Sequence, residues 1–182
     1  MQKFINGLMA CLTSALCLSA CSPDQNWRDV VLDGTGFKAQ LPCKPDRTMR
    51  PVNMGGVSLS LHVVGCESAG AIWAVMTTEL PAGADAQGLM SGWQKATLHN
   101  ARVDASATPP RQQVWHRPDL LPLAQTLRIQ AKGQNASGDD VMLDAVWGAV
   151  AAGDRVRLIH AVVYAPQISR EMANTLFDGL RP

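Results

Sequence analysis

The sequence predicts an α+β fold, in which an antiparallel sheet of about six to seven strands is covered by two helices. Strand-like alternation of apolar and polar residues dominates two long stretches of the chain, and helical periodicity is found near residues 85–99 and 169–178. Strands and helices do not alternate regularly, which favours an antiparallel sheet. Of the 182 residues, 47% are apolar and 17% are charged, which is enough apolar material for one hydrophobic core.

The first half of the chain is rich in strand patterns. Residues 57–63 alternate between apolar and polar side chains, which is typical of a half-buried strand. The preceding residues 53–56 include two glycines that suit a tight hairpin turn, with residues 48–52 as the incoming arm. Residues 37–41 and 71–78 are further β-prone runs. Together these runs predict a meander.

The apolar period becomes helical after Asp85, which can cap the free amide groups of the first turn. The apolar stripe of this helix consists of Ala86, Leu89, Met90, Trp93, Ala96 and Thr97. Gly88 and Gly92 lie inside the helix, where each costs about 1 kcal/mol relative to alanine. The two glycines therefore indicate either close packing of the helix on the sheet or a weak helix signal.

The second half of the chain predicts another meander and a final helix. The strand patterns cover residues 112–116, 123–131, 141–150 and 155–164. The final helix is predicted to be capped by Ser169 and to end at Gly179.

The first twenty residues have the pattern of an export signal. A single cation, Lys3, precedes an apolar stretch that is shorter than the roughly 18 to 20 residues needed to cross a bilayer. A retained transmembrane helix is the alternative. The segment Leu18-Ser19-Ala20-Cys21 resembles the lipobox of bacterial lipoproteins. The resemblance implies that Cys21 is lipidated, that residues 1–20 are removed, and that the mature chain begins at Cys21.

The lipobox also implies a location and a domain organisation. Ser22 is not the aspartate associated with retention in the inner membrane, so we expect the outer membrane, on its periplasmic face. Residues 21–26 would form a lipidated tether that holds the domain near the membrane, and residues 27–182 a single periplasmic domain. The membrane is therefore an expected partner, through the lipid on Cys21.

Cys43 and Cys66 are expected to form a disulfide bond. Cys11 and Cys17 would leave with the signal peptide and Cys21 would carry lipid, which leaves one pair in an oxidising compartment. Two buried thiols are the alternative.

The segment Gly36-Phe37-Lys38-Ala39-Gln40-Leu41-Pro42 has the pattern G-F-x-x-x-L-P. Together with the order of elements and an amphipathic C-terminal helix, it resembles the Mog1/PsbP-like fold that occurs in several small lipoproteins. The resemblance would cover about residues 27–181. It implies a fold and no particular activity, because that fold carries unrelated functions.

Four side chains are candidates for binding. Trp27 and Trp115 are flanked by polar residues, so one of them is expected to be exposed at a ligand or protein surface, with burial in the core as the alternative. Arg47 and Arg50 belong to a basic segment that could dock on anionic headgroups or an acidic partner, with an ordinary solvated surface as the alternative.

Catalytic and metal-binding motifs are absent from the sequence. The four histidines lack metal-ligand spacing, and no serine lies in G-x-S-x-G or S-x-x-K. We therefore expect no metal, no cofactor and no enzymatic activity. His62 and His160 lie on predicted strands and form the first pair to consider if a site assembles through the fold. Acidic residues between Asp139 and Asp154, including Asp144, are expected to be solvated.

The charge balance argues against nucleic acid as a partner, because 16 Lys and Arg face 15 Asp and Glu. The leading hypothesis is a membrane-anchored periplasmic lipoprotein that serves as a non-catalytic binding or envelope-assembly module with an envelope protein as partner. One alternative is a small-ligand carrier with a pocket between sheet and helices. The other is a hydrolase or metalloprotein that uses dispersed His and Asp residues.

Overall fold

The computed structural model describes residues 25–32 and 34–181, so the predicted signal peptide and Cys21 lie outside the described residues. The α+β prediction is confirmed. The described chain forms a seven-stranded antiparallel sheet, a separate two-stranded antiparallel sheet and two helices.

The elements follow one another closely along the chain. The strands are β1 (Arg28–Val31), β2 (Lys38–Leu41), β3 (Asp46–Met54), β4 (Val57–Ser68), β5 (Ala71–Leu80), β6 (Arg111–Val114), β7 (Leu127–Gln134), β8 (Asp140–Ala152) and β9 (Arg155–Ala165). The helices are α1 (Ala86–Asn100), between β5 and β6, and α2 (Arg170–Asp178), after β9. Strand β1 was not predicted from the sequence, although the alternating burial of Val30 and Leu32 follows a strand pattern.

The large sheet joins the two predicted meanders side by side. Its strand order is β3-β4-β5-β9-β8-β7-β6, so the last strand of the first meander pairs with the last strand of the second. This pairing places Val75 opposite Ala161, residues that are far apart in sequence. Strands β3 and β6 are the edges, and β1 pairs with β2 in the small sheet.

The large sheet is covered on both faces. Helix α1 packs on one face, which we call the α1 face, over a core that contains Trp147, Leu158 and Val162. Helix α2 and the small sheet pack on the other, the α2 face, where Trp73 and Phe177 are buried. Because side chains alternate along each strand, sequence parity decides which face a residue serves.

Local signals at the turns and caps agree with the sequence. The β3–β4 turn uses Gly55 and Gly56 with φ of 57° and 88°, a region that side chains disfavour. The Asp85 side chain accepts a hydrogen bond from the Gly88 amide at 2.9 Å, and Ser169 caps α2. Within residues 25–32 and 34–181, no helix combines the length and the apolar character that crossing a bilayer requires.

Cys43 and Cys66 form the predicted disulfide bond, with Cα atoms 6.0 Å apart. Cys43 follows the small sheet and Cys66 lies on β4, and both pack against the core of the α2 face. The bond therefore ties the small sheet to the first meander.

The expectation that Asp144 is solvated is wrong. Asp144 is 2% exposed, and both of its carboxylate oxygens accept hydrogen bonds from Arg128, at 2.8 and 2.6 Å. Arg128 also donates to Asn174 of α2 at 2.7 Å. Asp144 falls on the α2 face by strand parity, and its burial is compensated by this pairing.

Candidate functional site

A groove runs between one flank of α1 and the α1 face of the large sheet. It has a volume of about 660 Å³ and is bordered by strands β3, β4, β5 and β9. Its mostly apolar lining includes Val52, Met54, Val57, Leu61, Met76, Leu89, Trp93, Ala96, His160 and Tyr164. This volume and lining are typical of sites for small molecules.

The flank of α1 that borders the groove carries small residues. Gly88, Gly92 and Ala96 are spaced four apart, which places them on one side of the helix. A Cβ atom on Gly92 would meet no other atom within 4 Å, so this glycine faces open space. The interpretation that the helix packs closely on the sheet at these glycines is therefore wrong. At Gly88 a Cβ would lie 2.2 Å from Asp85 Oδ2, so that glycine makes room for the cap.

His160 lies at the sheet side of the groove and is held between aromatic rings. It is 1% exposed, it stacks on Trp147 with ring centroids 4.3 Å apart, and its ring meets Trp93 edge-on at 5.3 Å. Its Nδ1 is 3.1 Å from the carbonyl oxygen of Val146. The ring is therefore fixed in position by its neighbours.

The environment of His160 determines its protonation. Burial lowers the pKa of His160 to about 4, against 6.5 for a free histidine, so the ring is neutral near pH 7. A carbonyl oxygen can only accept a hydrogen bond, so Nδ1 carries the proton and donates to Val146. The other ring nitrogen, Nε2, is then an acceptor, and it has no hydrogen-bond partner among the described residues.

The groove has few groups that can carry charge. Burial raises the pKa of Tyr164 to about 12, so its hydroxyl stays neutral at physiological pH. Among the described residues that line the groove, Asp85 is the only other acidic or basic side chain, and it already caps α1. The groove can therefore offer apolar contact and neutral hydrogen-bonding groups.

The two candidate tryptophans lie elsewhere in the molecule. Trp27 is half-buried and meets Trp73 edge-on, with ring centroids 5.6 Å apart. Trp115 is 9% exposed and is covered by the Arg117 guanidinium, 5.6 Å from its ring centroid. The expectation of an exposed binding surface is therefore wrong for Trp115, and neither side chain lines the groove.

Arg47 and Arg50 are both exposed on edge strand β3, but they do not form one patch. Arg47 pairs with Val64, which belongs to the α2 face, and Arg50 pairs with Leu61, which belongs to the α1 face. The two arginines therefore lie on opposite faces of the sheet. The Nη1 atom of Arg47 also donates to the carbonyl oxygen of Val31 in β1. A role for either arginine in docking stays a prediction.

His62 and His160 are not brought together. His62 lies on β4 with the parity of Val64, on the α2 face, whereas His160 lies on the α1 face. Across residues 25–32 and 34–181, no group of three or more His, Cys, Asp or Glu side chains is arranged to hold a metal ion.

The sequence suggested a pocket between sheet and helices as one alternative, but it did not indicate which residues line the groove. Gly88 and Gly92 are a local signal in this region, but small residues suit close packing as well as an open groove, so they do not distinguish the two. The position of His160 in the groove depends on the pairing of β5 with β9. Residues close to His160 in the sequence therefore do not indicate it.

A scan against protein-family models, a search of curated proteins and a search of solved structures each found no match. The resemblances to the lipobox and to the Mog1/PsbP-like fold therefore stay predictions.

Proposed function

We propose that the protein is a membrane-anchored periplasmic lipoprotein whose domain binds a small apolar molecule in the groove beside α1, without catalysing a reaction on it. The observation that carries the proposal is the groove itself, with a volume of about 660 Å³ between helix and sheet. Among the functions considered from the sequence, this geometry favours the small-ligand carrier.

The chemistry of the lining supports binding. Apolar side chains from α1, the β3–β4 hairpin and the neighbouring strands surround the space, and only a few polar groups interrupt them. Burying an apolar ligand there gains about 25 cal/mol for each Å² removed from water. The ring of His160 is already fixed by Trp93 and Trp147, so little ordering would be needed on binding.

The anchor is proposed from the sequence. The lipobox-like segment ending at Cys21 supports lipid attachment, and Ser22 favours the outer membrane. The disulfide between Cys43 and Cys66 suits an oxidising compartment such as the periplasm. With acyl chains on Cys21, membrane attachment would be stable.

The binding proposal can be tested with Nile red, a neutral apolar dye whose fluorescence rises in apolar surroundings. The full chain carries Cys21→Ser, so that neither acyl chains nor detergent compete for the dye. We expect saturable binding, and we expect Gly92→Leu to weaken it about tenfold by filling the groove.

Gln87→Leu is the matched control, because it adds the same side chain to an exposed position of α1 outside the groove. Equal dye binding by the two leucine variants, or no binding by the parent chain, would overturn the proposal.

An envelope protein partner stays a prediction. Crosslinking of the lipidated protein in its native envelope, followed by mass spectrometry, tests it directly.

A further inference from the structure

We propose that the groove selects an uncharged, elongated apolar molecule with an O–H or N–H group, which donates a hydrogen bond to Nε2 of His160. This inference rests on the proposed function and specifies the class of ligand.

The first step is the free acceptor. His160 is 1% exposed and lines the groove, its Nδ1 is engaged by Val146, and Nε2 lacks a partner within the described chain. Nε2 is not one of the described side-chain atoms that are both fully buried and unpaired, so it can be reached from the groove. A ligand that excludes water from Nε2 must itself donate a hydrogen bond there, because a buried acceptor without a partner costs free energy. A ligand with only acceptor groups would leave Nε2 unsatisfied.

The second step is charge. No lysine or arginine is present among the described residues of the lining, and Asp85 at the start of α1 repels anions. A carboxylate or phosphate placed beside His160 would lose its hydration without gaining a cation. The groove therefore favours a neutral ligand over an anionic one.

The third step is shape. At one end of the groove the β3–β4 turn approaches α1, where a Cβ on Gly55 would lie 3.3 Å from Leu89 Cδ2. Tyr164 also lines the groove and lies four residues beyond His160 on the same face of β9, so the two side chains are separated by roughly 13 Å along the strand. A straight chain of about ten carbons, with its donor group at His160, spans the distance from His160 to Tyr164.

The test is displacement of Nile red from the full chain carrying Cys21→Ser by three matched ten-carbon probes. They are 1-decanol, which can donate a hydrogen bond, 2-decanone, which can only accept one, and decanoate at pH 8, which is anionic. We expect 1-decanol to bind roughly five- to tenfold more tightly than 2-decanone, the effect of one hydrogen bond in a buried site, and decanoate to bind most weakly.

His160→Phe should remove the preference for the alcohol over the ketone. His116→Phe changes an exposed histidine outside the groove and should preserve the preference. If His160→Phe does not fold, the ¹⁵N resonance of Nε2 in the parent chain supplies the answer, because it should move on addition of 1-decanol and stay in place with 2-decanone.

The outcomes separate the two proposals. Binding of the dye with equal displacement by the alcohol and the ketone, an unmoved Nε2 resonance, or preference for decanoate would overturn this inference alone. Failure of the dye to bind would remove the proposed function as well.

Discussion

The imidazole of His160 lies on the indole of Trp147, with ring centroids 4.3 Å apart and planes 7° from parallel. The two residues occupy directly paired positions on β9 and β8, so the strand register itself produces the contact. On its edge the imidazole meets Trp93 of α1. The ring is thus withdrawn from water, and the Val146 carbonyl, its one hydrogen-bond partner among the described residues, does not make up for the loss of hydration of a positive charge.

Acid should destabilise the fold through His160. Its pKa is about 4 in the folded state and 6.5 when free, so between these values the unfolded chain binds a proton that the folded chain does not. The stabilisation is complete above pH 6.5 and is lost as the pH falls toward 4, by about 3 kcal/mol. Denaturant unfolding at pH 7 and pH 4.5 measures most of this loss.

The variant His160→Phe supplies the comparison for that measurement. Carboxylates contribute to acid sensitivity in both proteins, so the difference between their slopes isolates the histidine. Identical dependence of the unfolding free energy on pH in both proteins would contradict the assignment.

Removing one partner of the buried ion pair should be costly. Asp144→Ala leaves the Arg128 guanidinium, 11% exposed, without its carboxylate, and we expect a loss of about 3–5 kcal/mol in unfolding free energy. The exposed pair Lys132–Asp140 joins the same two strands, and Asp140→Ala should lower the unfolding free energy far less than Asp144→Ala. Chemical denaturation compares the unfolding free energies of the two variants. Similar losses would show that burial of the pair does not determine its contribution to stability.

Reduction of the Cys43–Cys66 bond should lower stability by about 3 kcal/mol, because the unfolded chain regains the freedom of the closed loop. The double variant Cys43→Ala, Cys66→Ala should match the reduced protein. Equal melting temperatures for oxidised and reduced wild type would count against this role.

The two glycines of α1 should respond differently to alanine. Gly92→Ala meets no atom within 4 Å and should stabilise the protein by up to about 1 kcal/mol, because alanine favours the helix. Gly88→Ala displaces the Asp85 carboxylate, and loss of the cap offsets the gain. Thermal melts of both variants test the difference, which should vanish if the cap contributes nothing.

Lipid attachment at Cys21 makes a direct prediction for cell fractionation. Wild type should sediment with membranes in high salt, whereas Cys21→Ser should appear in the soluble fraction if no other hydrophobic segment holds it. Mass spectrometry of the wild-type amino terminus should find acyl chains on Cys21. An unmodified terminus at Met1 would contradict the anchor.

Local chemistry in the sequence determined the elements of this protein. Alternation predicted β4, glycines placed its turn, Asp85 and Ser169 marked where the helices begin, and the supply of cysteines indicated the disulfide. Each of these signals acts between residues near in sequence or depends on residue type alone, so it can be read without the fold.

The tertiary structure decided which residues meet. Pairing of β5 with β9 brings His160 beside the β3–β4 hairpin, and strand parity sends Arg47 and Arg50 to opposite faces. The tertiary structure also buries Asp144, because Arg128 and helix α2, from separate parts of the chain, pack around its carboxylate. These outcomes depend on contacts between segments that are distant in the sequence. Local sequence patterns do not indicate the free energy of such contacts.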